Sequence, residues 1–207
     1  MTRGQRRGKT GQGRSVGHEA PVRKDGSTYD SAYYDGIAEG YDELHGAEQE
    51  QKYRLILSHL TFEPGDRILD VGCGTGLFLS FVHTALGHDP ALCQGIDPSA
   101  KLLARVPLQF SKNVQEASAE NLPFKDGTFD AVVSVTCLQN MRDPTAAVNE
   151  MKRVGKGGDG NGKKACAFAI SFLKKSPRRD LLEGILTKAF PHAKAFEEEK
   201  DIIFIQN

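Results

Sequence analysis

The 207-residue sequence predicts an α/β chain, a doubly wound and largely parallel sheet of seven strands whose last two form an antiparallel hairpin. Three observations carry that expectation. From residue 67 onward, short apolar runs alternate with amphipathic stretches of helical period, the pattern of repeated strand–helix units. The first of these units bends through Gly72, Gly74 and Gly76, a glycine-dense turn between an apolar strand and an apolar helix. At the end of the chain, 193–196 and 202–206 are short β-rich segments close enough to pair.

The elements follow in order. Residues 1–28 are rich in Gly, Arg, Lys, Gln and Ser and nearly lack large apolar side chains. Such a segment cannot bury enough surface to offset its ordering entropy, so a disordered basic tail is expected there. Its cations (Arg3, Arg6, Arg7, Lys9, Arg14, Arg23 and Lys24) face only Glu19 and Asp25, which reads as an RNA-phosphate-binding arm or as a solubilising tail. The folded domain is placed at 29–207, opening with a short helical stretch through Tyr29, Tyr33, Tyr34 and Tyr41. A second helix is expected from about Ala47 to Leu60, with Tyr53, Ile56, Leu57 and Leu60 on one face. Pro64-Gly65-Asp66 turns into strand 1 (Arg67–Val71), followed by a helix at Leu77–Leu86. Strand 2 (Leu92–Ile96) closes on Asp97-Pro98, and Ser99 is placed to cap a short helix, Ala100–Arg105, that Pro107 limits. Strand 3 (Val114–Ala117), strand 4 (Phe129–Val135), a helix at Thr145–Val154 opened by Asp143-Pro144, strand 5 (Ala165–Phe172) and a helix at Arg178–Phe190 complete the core.

Composition removes several classes of function. Lys and Arg number 27 and so do Asp and Glu, so the molecule as a whole is not an electrostatic nucleic-acid binder. No apolar run is long enough to span a bilayer, and the start of the chain lacks the apolar region of a secretion signal, so a cytoplasmic setting is expected. The four cysteines (Cys73, Cys93, Cys137 and Cys166) are scattered without Cys-x-x-Cys spacing, which disfavours zinc, iron–sulfur and dithiol chemistry and leaves no metal expected.

The turn Asp70-Val71-Gly72-Cys73-Gly74-Thr75-Gly76 departs from the dinucleotide fingerprint, because the third glycine of Gly-x-Gly-x-x-Gly would fall on Leu77. A second acid, Asp97, ends strand 2, where a carboxylate can accept from both hydroxyls of a ribose. A third stretch reads Ala117-Ser118-Ala119-Glu120-Asn121-Leu122-Pro123-Phe124, with Phe129-Asp130 beyond it, and a fourth runs from Ser134 through Thr136, Gln139 and Asn140 to Asp143-Pro144. On these motifs the chain resembles the class I S-adenosylmethionine-dependent methyltransferases, of the small type 11-like group with archaeal members, which have a Rossmann-like fold.

The resemblance implies S-adenosyl-L-methionine as cofactor. Asp70, Gly72, Cys73, Gly74 and Gly76 would surround its amino-acid end. Asp97 and Pro98 would lie at its ribose, and Ser118, Ala119 and Glu120 at its adenine. Thr136 would sit near the reacting methyl, with Gln139 and Asn140 as further candidates for contact with substrate. Tyr41 is the expected lid residue, with Tyr33 and Tyr34 packing their helix onto the sheet. In relatives an acid often stands where this chain has Ser118, so a weaker adenine acceptor is expected. The Asn/Asp-Pro-Pro-Tyr/Phe signature of base and amide N-methylation is absent from the fourth stretch, and no histidine is placed for acid–base work, so no catalytic residue is assigned. The acceptor is then RNA, a translation-related protein or a small molecule. The resemblance also implies a small zinc-binding activator subunit, as some archaeal relatives require. The alternatives are a nucleotide- or NAD-binding enzyme of the same architecture and a non-catalytic cofactor-binding subunit.

Overall fold

A computed structural model of the chain describes residues 34–36, 41–158 and 164–207, with the backbone alone at 41 and 43–45. The tail at 1–28 and the tip of the loop at 159–163 lie outside the described residues. Seven strands form one sheet: β1 (Ile68–Val71), β2 (Cys93–Asp97), β3 (Val114–Glu116), β4 (Ala131–Ser134), β5 (Ala167–Leu173), β6 (Lys194–Glu197) and β7 (Asp201–Gln206). Their order is β3-β2-β1-β4-β5-β7-β6. The first five run parallel, and β7 enters antiparallel against β5 with β6 antiparallel to it, so the expected hairpin forms the far edge. The helices are α1 (Tyr41–His59), α2 (Leu77–Leu86), α3 (Ala100–Leu103), α4 (Pro144–Val154) and α5 (Arg179–Ala189).

Period-two alternation explains why helices cover both faces. Ile68, Ala131, Val133, Ala167, Ala169, Ile203 and Ile205 point to one side, against Tyr53, Ile56 and Leu60 of α1 and Phe78, Leu79 and Val82 of α2. Leu69, Val132, Phe168, Ile170, Phe172, Ile202 and Phe204 point to the other, against Val148 and Met151 of α4 and Leu182 and Leu186 of α5. Ser99 caps α3 as expected, its hydroxyl accepting from Leu102 N at 3.2 Å, and Asp143 caps α4 through Thr145 N and Ala146 N, both at 3.0 Å.

Most element boundaries shift by a residue or two from the sequence reading, and three differences stand out. The helix expected from Ala47 begins at Tyr41 and runs through Gly46. A helical glycine costs roughly 1 kcal/mol relative to alanine, and the buried face that follows it (Gln49, Lys52, Tyr53 and Ile56) anchors the helix. Strand 4 is shorter than expected because Phe129 pairs with Gly155 as an isolated bridge and the backbone leaves the sheet after Ser134. The helix after Ser99 ends at Leu103, two residues early.

Candidate functional site

The site grows from the C-terminal ends of β1, β2 and β4, where the strand order reverses and an open α/β sheet leaves a crevice. Beyond Val71 the chain turns sharply. Gly72, Gly74 and Gly76 all adopt left-handed φ, at 81°, 53° and 78°. The turn is pinned to β2 by the N–H groups of Gly72 and Cys73, which donate to the Ile96 carbonyl at 2.8 and 2.9 Å. Gly72 answers to two demands, since a β-carbon there would lie 2.2 Å from Cys137 Sγ.

Asp97 is buried at the end of β2. Its Oδ1 accepts from Ser99 N at 2.8 Å and its Oδ2 from Gly74 N at 2.9 Å, so the acid ties the glycine turn to the start of α3. Each oxygen keeps a second lone pair for a ligand. Burial pushes the Asp97 carboxyl up to about 6, against the lowering effect of the two backbone donors, with Asp35 adding to the rise. Asp70, on the neighbouring strand, is raised to about 8, by burial first and by the charge of Asp97 second. Two buried acids whose proton affinity is raised by burial favour a cationic ligand beside them.

A cavity of about 520 Å³ opens over these strand ends. Of the residues expected at a cofactor, Gly72, Gly74, Asp97, Pro98, Ser118, Ala119, Glu120 and Thr136 line it. Asp70 and Cys73 instead line a second cavity of about 20 Å³, which shares Gly72 and Val135 with the first. Gly76 lines neither and stands at the start of α2. The Tyr41 side chain lies outside the described residues. Tyr34, expected only to pack, lines the large cavity, and its hydroxyl accepts from Asn140 Nδ2 at 2.7 Å. Asp35 beside it accepts from the Ser99 hydroxyl at 2.5 Å, so the 34–36 segment is tied across the mouth from two sides. An aromatic residue near an acid in a tyrosine-rich stretch was the signal for this, but the segment's path over the strand ends is tertiary.

At the expected adenine end, the Ser118 hydroxyl donates to Glu120 Oε2. The carboxylate missing from position 118 thus stands one hydrogen bond away, and by polarising the hydroxyl it strengthens Ser118 as an acceptor. The Leu122-Pro123-Phe124 turn is stapled by α4. Arg153 donates to Leu122 O and Phe124 O at 3.0 and 2.8 Å, and Glu150 accepts from Leu122 N at 2.8 Å.

Thr136 is the one non-glycine residue with left-handed φ (54°) among the described residues. A β-branched residue holds that conformation only when its surroundings demand it. Its hydroxyl donates to Asp201 Oδ2 at 2.7 Å and accepts from Lys52 Nζ at 2.8 Å, while its N–H donates to Ser171 Oγ at 2.7 Å. Gln139 Nε2 donates to its carbonyl at 2.8 Å, which caps the loop. The Thr136 hydroxyl is therefore turned into a buried polar cluster. Among the described residues, no group of three or more His, Cys, Asp or Glu could hold a metal ion, and no helix is long and apolar enough to cross a membrane.

Comparison with known proteins bears on this geometry. Residues 69–159 match the methyltransferase domain family model. A demethylmenaquinone methyltransferase of Symbiobacterium thermophilum is 31% identical over 153 residues, covering 69% of this chain and 61% of that protein. A phosphatidylethanolamine N-methyltransferase of Cereibacter sphaeroides is 35% identical over 127 residues, covering 58% and 60%. The chain thus spans about three fifths of the length of these curated relatives. Among solved structures, a chain from the complex between the Haloferax volcanii Trm112 methyltransferase activator and a methyltransferase superposes with a TM-score of 0.65, at 16% identity, over 83% of this chain and 96% of that one. Haemonchus contortus phosphoethanolamine N-methyltransferase 2, in complex with phosphomonomethylethanolamine and S-adenosylhomocysteine, superposes with a TM-score of 0.62, at 20% identity, over 79% and 43%. The match takes in the glycine turn, Asp97, the 117–124 stretch and the strand-4 loop, so residues 69–159 are similar to the methyltransferase domain family, on a sheet of Rossmann-like order.

Proposed function

We propose that the chain is an S-adenosyl-L-methionine-dependent methyltransferase. The observation that carries this reading is the pairing of a glycine cradle with two buried acids. Gly72 lines the cavity with backbone and has no room for a side chain, and Asp70 and Asp97 are buried carboxyls of raised proton affinity, from which a nucleoside with cationic centres would draw the protons. When bound, the cofactor supplies an electrophilic methyl on a sulfonium, so the chain has no acid–base step to perform for a neutral amine or thiolate acceptor. Its work is positional. Asp97 holds the ribose, Ala119 and the Glu120-backed Ser118 meet the adenine, Gly72 and Gly74 admit the amino-acid end, and Tyr34 with Asn140 closes the mouth against water. With the four thiols free and three of them fully buried, we place the chain in the cytoplasm.

A small activator subunit is part of the same proposal. The fold likeness to a chain crystallised with Trm112 supports it, as does the open edge of the sheet at β3, where Gln115 and Glu116 are exposed. Co-purification from native lysate with a small zinc-binding protein is the expected result, and a chain that purifies alone and transfers methyl groups at full rate would remove the activator from the account.

Isothermal titration with S-adenosylhomocysteine and, separately, with NAD tests the central reading. S-adenosylhomocysteine is expected to bind and NAD is not, and Asp97→Ala is expected to weaken binding by roughly 10- to 100-fold, the range for losing hydrogen bonds to a charged group. No heat with S-adenosylhomocysteine, or an Asp97→Ala variant that binds it as well as the parent, would end this reading. A radiolabel transfer assay on cell-extract fractions, with nuclease and protease controls, then sorts the acceptor into RNA, a translation-related protein or a small molecule, and absence of label in every fraction favours a non-catalytic subunit.

A further inference from the structure

The outer edge of the sheet at β6 carries backbone groups that meet no strand among the described residues. The Glu198 N–H donates to the Asp201 carbonyl at 2.9 Å, so those two residues form a hydrogen-bonded pair of the terminal hairpin. From there the register runs unbroken, with Phe196 opposite Ile203 and Lys194 opposite Ile205. Bonded and non-bonded pairs alternate along an antiparallel ladder. Lys194 and Phe196 therefore turn their N–H and C=O toward β7, and Ala195 and Glu197 turn theirs outward. Lys194, Ala195 and Glu197 are exposed. Such an edge invites another strand unless its side chains forbid one.

The side chains here select a particular strand. Glu197 is engaged within the chain, 3.6 Å from Lys174 and 3.8 Å from Arg179. Lys194 and Glu198 alternate onto the other face with Phe196, and neither has an ion pair among the described residues. Phe196 between them is half-buried and stacks on His59 of α1 at 4.2 Å. A lysine by itself guards an edge against pairing. A lysine and an acid placed symmetrically about an aromatic residue do the opposite for one partner, an antiparallel copy of the same strand. With Phe196 on the two-fold axis, the N–H and C=O of Ala195 meet those of Glu197 in the second copy, and the same bonds recur across the axis. Lys194 then lies opposite Glu198 of the second copy at both ends. Phe196 faces its own counterpart at a non-hydrogen-bonded position, where side chains stand closest. Sliding the register by two residues removes the match, since it sets Glu197 against Glu197 in one direction and Lys194 against Phe196 in the other.

We propose that β6 joins two copies of this chain edge to edge about that axis, giving a sheet continuous through both. The strand that makes the contact is four residues long, so the dimer is weak and forms with rising concentration. It occupies the edge opposite β3 and is independent of the cofactor reading.

Sedimentation equilibrium over a concentration series up to about 1 mM, where association at the weak end of specific binding registers, tests this. The parent is expected to pass from monomer to dimer across the series. Lys194→Glu sets acid against acid at both ends of the contact and is expected to weaken the dimer by roughly 10-fold. Adding Glu198→Lys restores opposite charges in exchanged places and is expected to return the parental dissociation constant. Ala195→Pro removes an N–H that points away from β7, so it spares the hairpin and is expected to leave only monomer. Urea midpoints of the variants report on folding separately. A parent that stays monomeric throughout, a dimer indifferent to Lys194→Glu or to Ala195→Pro, or a loss that Glu198→Lys fails to restore overturns the proposal. If Ala195→Pro does not fold, the charge exchange decides alone, because it alters only side chains without an ion pair among the described residues.

Discussion

At position 72 one methyl group is too many. A β-carbon would sit 2.2 Å from Cys137 Sγ and 3.0 Å from its β-carbon, on a residue whose φ is 81°. Overpacking of this kind costs about 1–3 kcal/mol, and left-handed backbone adds about 1 kcal/mol for a residue with a β-carbon. Gly72→Ala is therefore expected to lower the urea midpoint of unfolding and to reduce S-adenosylhomocysteine affinity together. Adding Cys137→Ala removes the closer clash and is expected to return part of the stability, while the strain in φ remains. A Gly72→Ala protein with parental stability and affinity would show that the turn has more room than the geometry gives it. Gly76 is less tightly enclosed, since a β-carbon there would meet the two Val106 methyls at 3.2 and 3.5 Å and Pro107 Cδ at 3.7 Å.

Among the elements, α1 carries the most consequential attachment. Lys52, with 3% of its side chain exposed, approaches Asp201, with none exposed, to 2.8 Å, an ionic contact at Oδ1 rather than an aligned hydrogen bond. Asp201 Oδ2 also accepts from Ser171 at 2.8 Å and from Thr136. This one cluster joins α1 to β5, β7 and the loop after β4, and it explains how Thr136 is held at a positive φ. Removing one partner of a buried ion pair costs about 3–5 kcal/mol because the other is left charged and alone. Lys52→Met is expected to destabilise by that amount in urea unfolding, and Lys52→Met with Asp201→Asn by less than the sum of the single changes. Additive costs would show that the two residues act independently. The α4 staple, in which Arg153 and Glu150 hold the 122–124 turn, is a more exposed device of the same type.

For the molecule as a whole, the site is a store of destabilising charge that a ligand relieves. Asp70 and Asp97 bind protons more tightly in the folded chain, at about 8 and about 6, than at their ordinary value of 3.8. The stability they contribute is full below pH 3.8 and is lost as pH rises through about 6 and then about 8. The groups held low by ion pairs and backbone donors, Glu48, Asp130 and Glu150, lose their contribution on the acid side, below their ordinary range. Between pH 5 and 8.5 the free protein is thus expected to melt at progressively lower temperature, and Asp70→Asn to flatten the upper part of that slope. Saturating S-adenosylhomocysteine, at about 100 times its dissociation constant, adds about 2.7 kcal/mol. At one fixed ligand concentration, its ammonium offsets the Asp70 charge as that group ionises, so the gain in melting temperature is expected to be larger at pH 8 than at pH 6. A melting temperature that does not vary with pH, or a ligand gain that shrinks on the alkaline side, would contradict the paired-acid account.

Local sequence determined the parts whose physics is local. The glycine turn, the Ser99 and Asp143 caps, the exact span of α2 and the antiparallel terminal pair were legible because turn chemistry, capping and alternation act within a few residues. Asp97 was legible for the same reason, as an acid ending a strand after a glycine turn. Tertiary structure alone decided that α1 continues through Gly46, that Phe129 pairs with Gly155 instead of extending β4, and that Thr136 turns its hydroxyl away from the cavity. It also carried Tyr34 over the strand ends and brought Gln49 and Lys52 there from a polar stretch of α1 in which nothing marks them. Lys52 and Asp201 stand 149 positions apart in the chain, and only the closing of the sheet at β7 brings them together. Burial of charge and contacts between distant segments have no local signature, and those are the terms that shape the strand ends around Asp70 and Thr136.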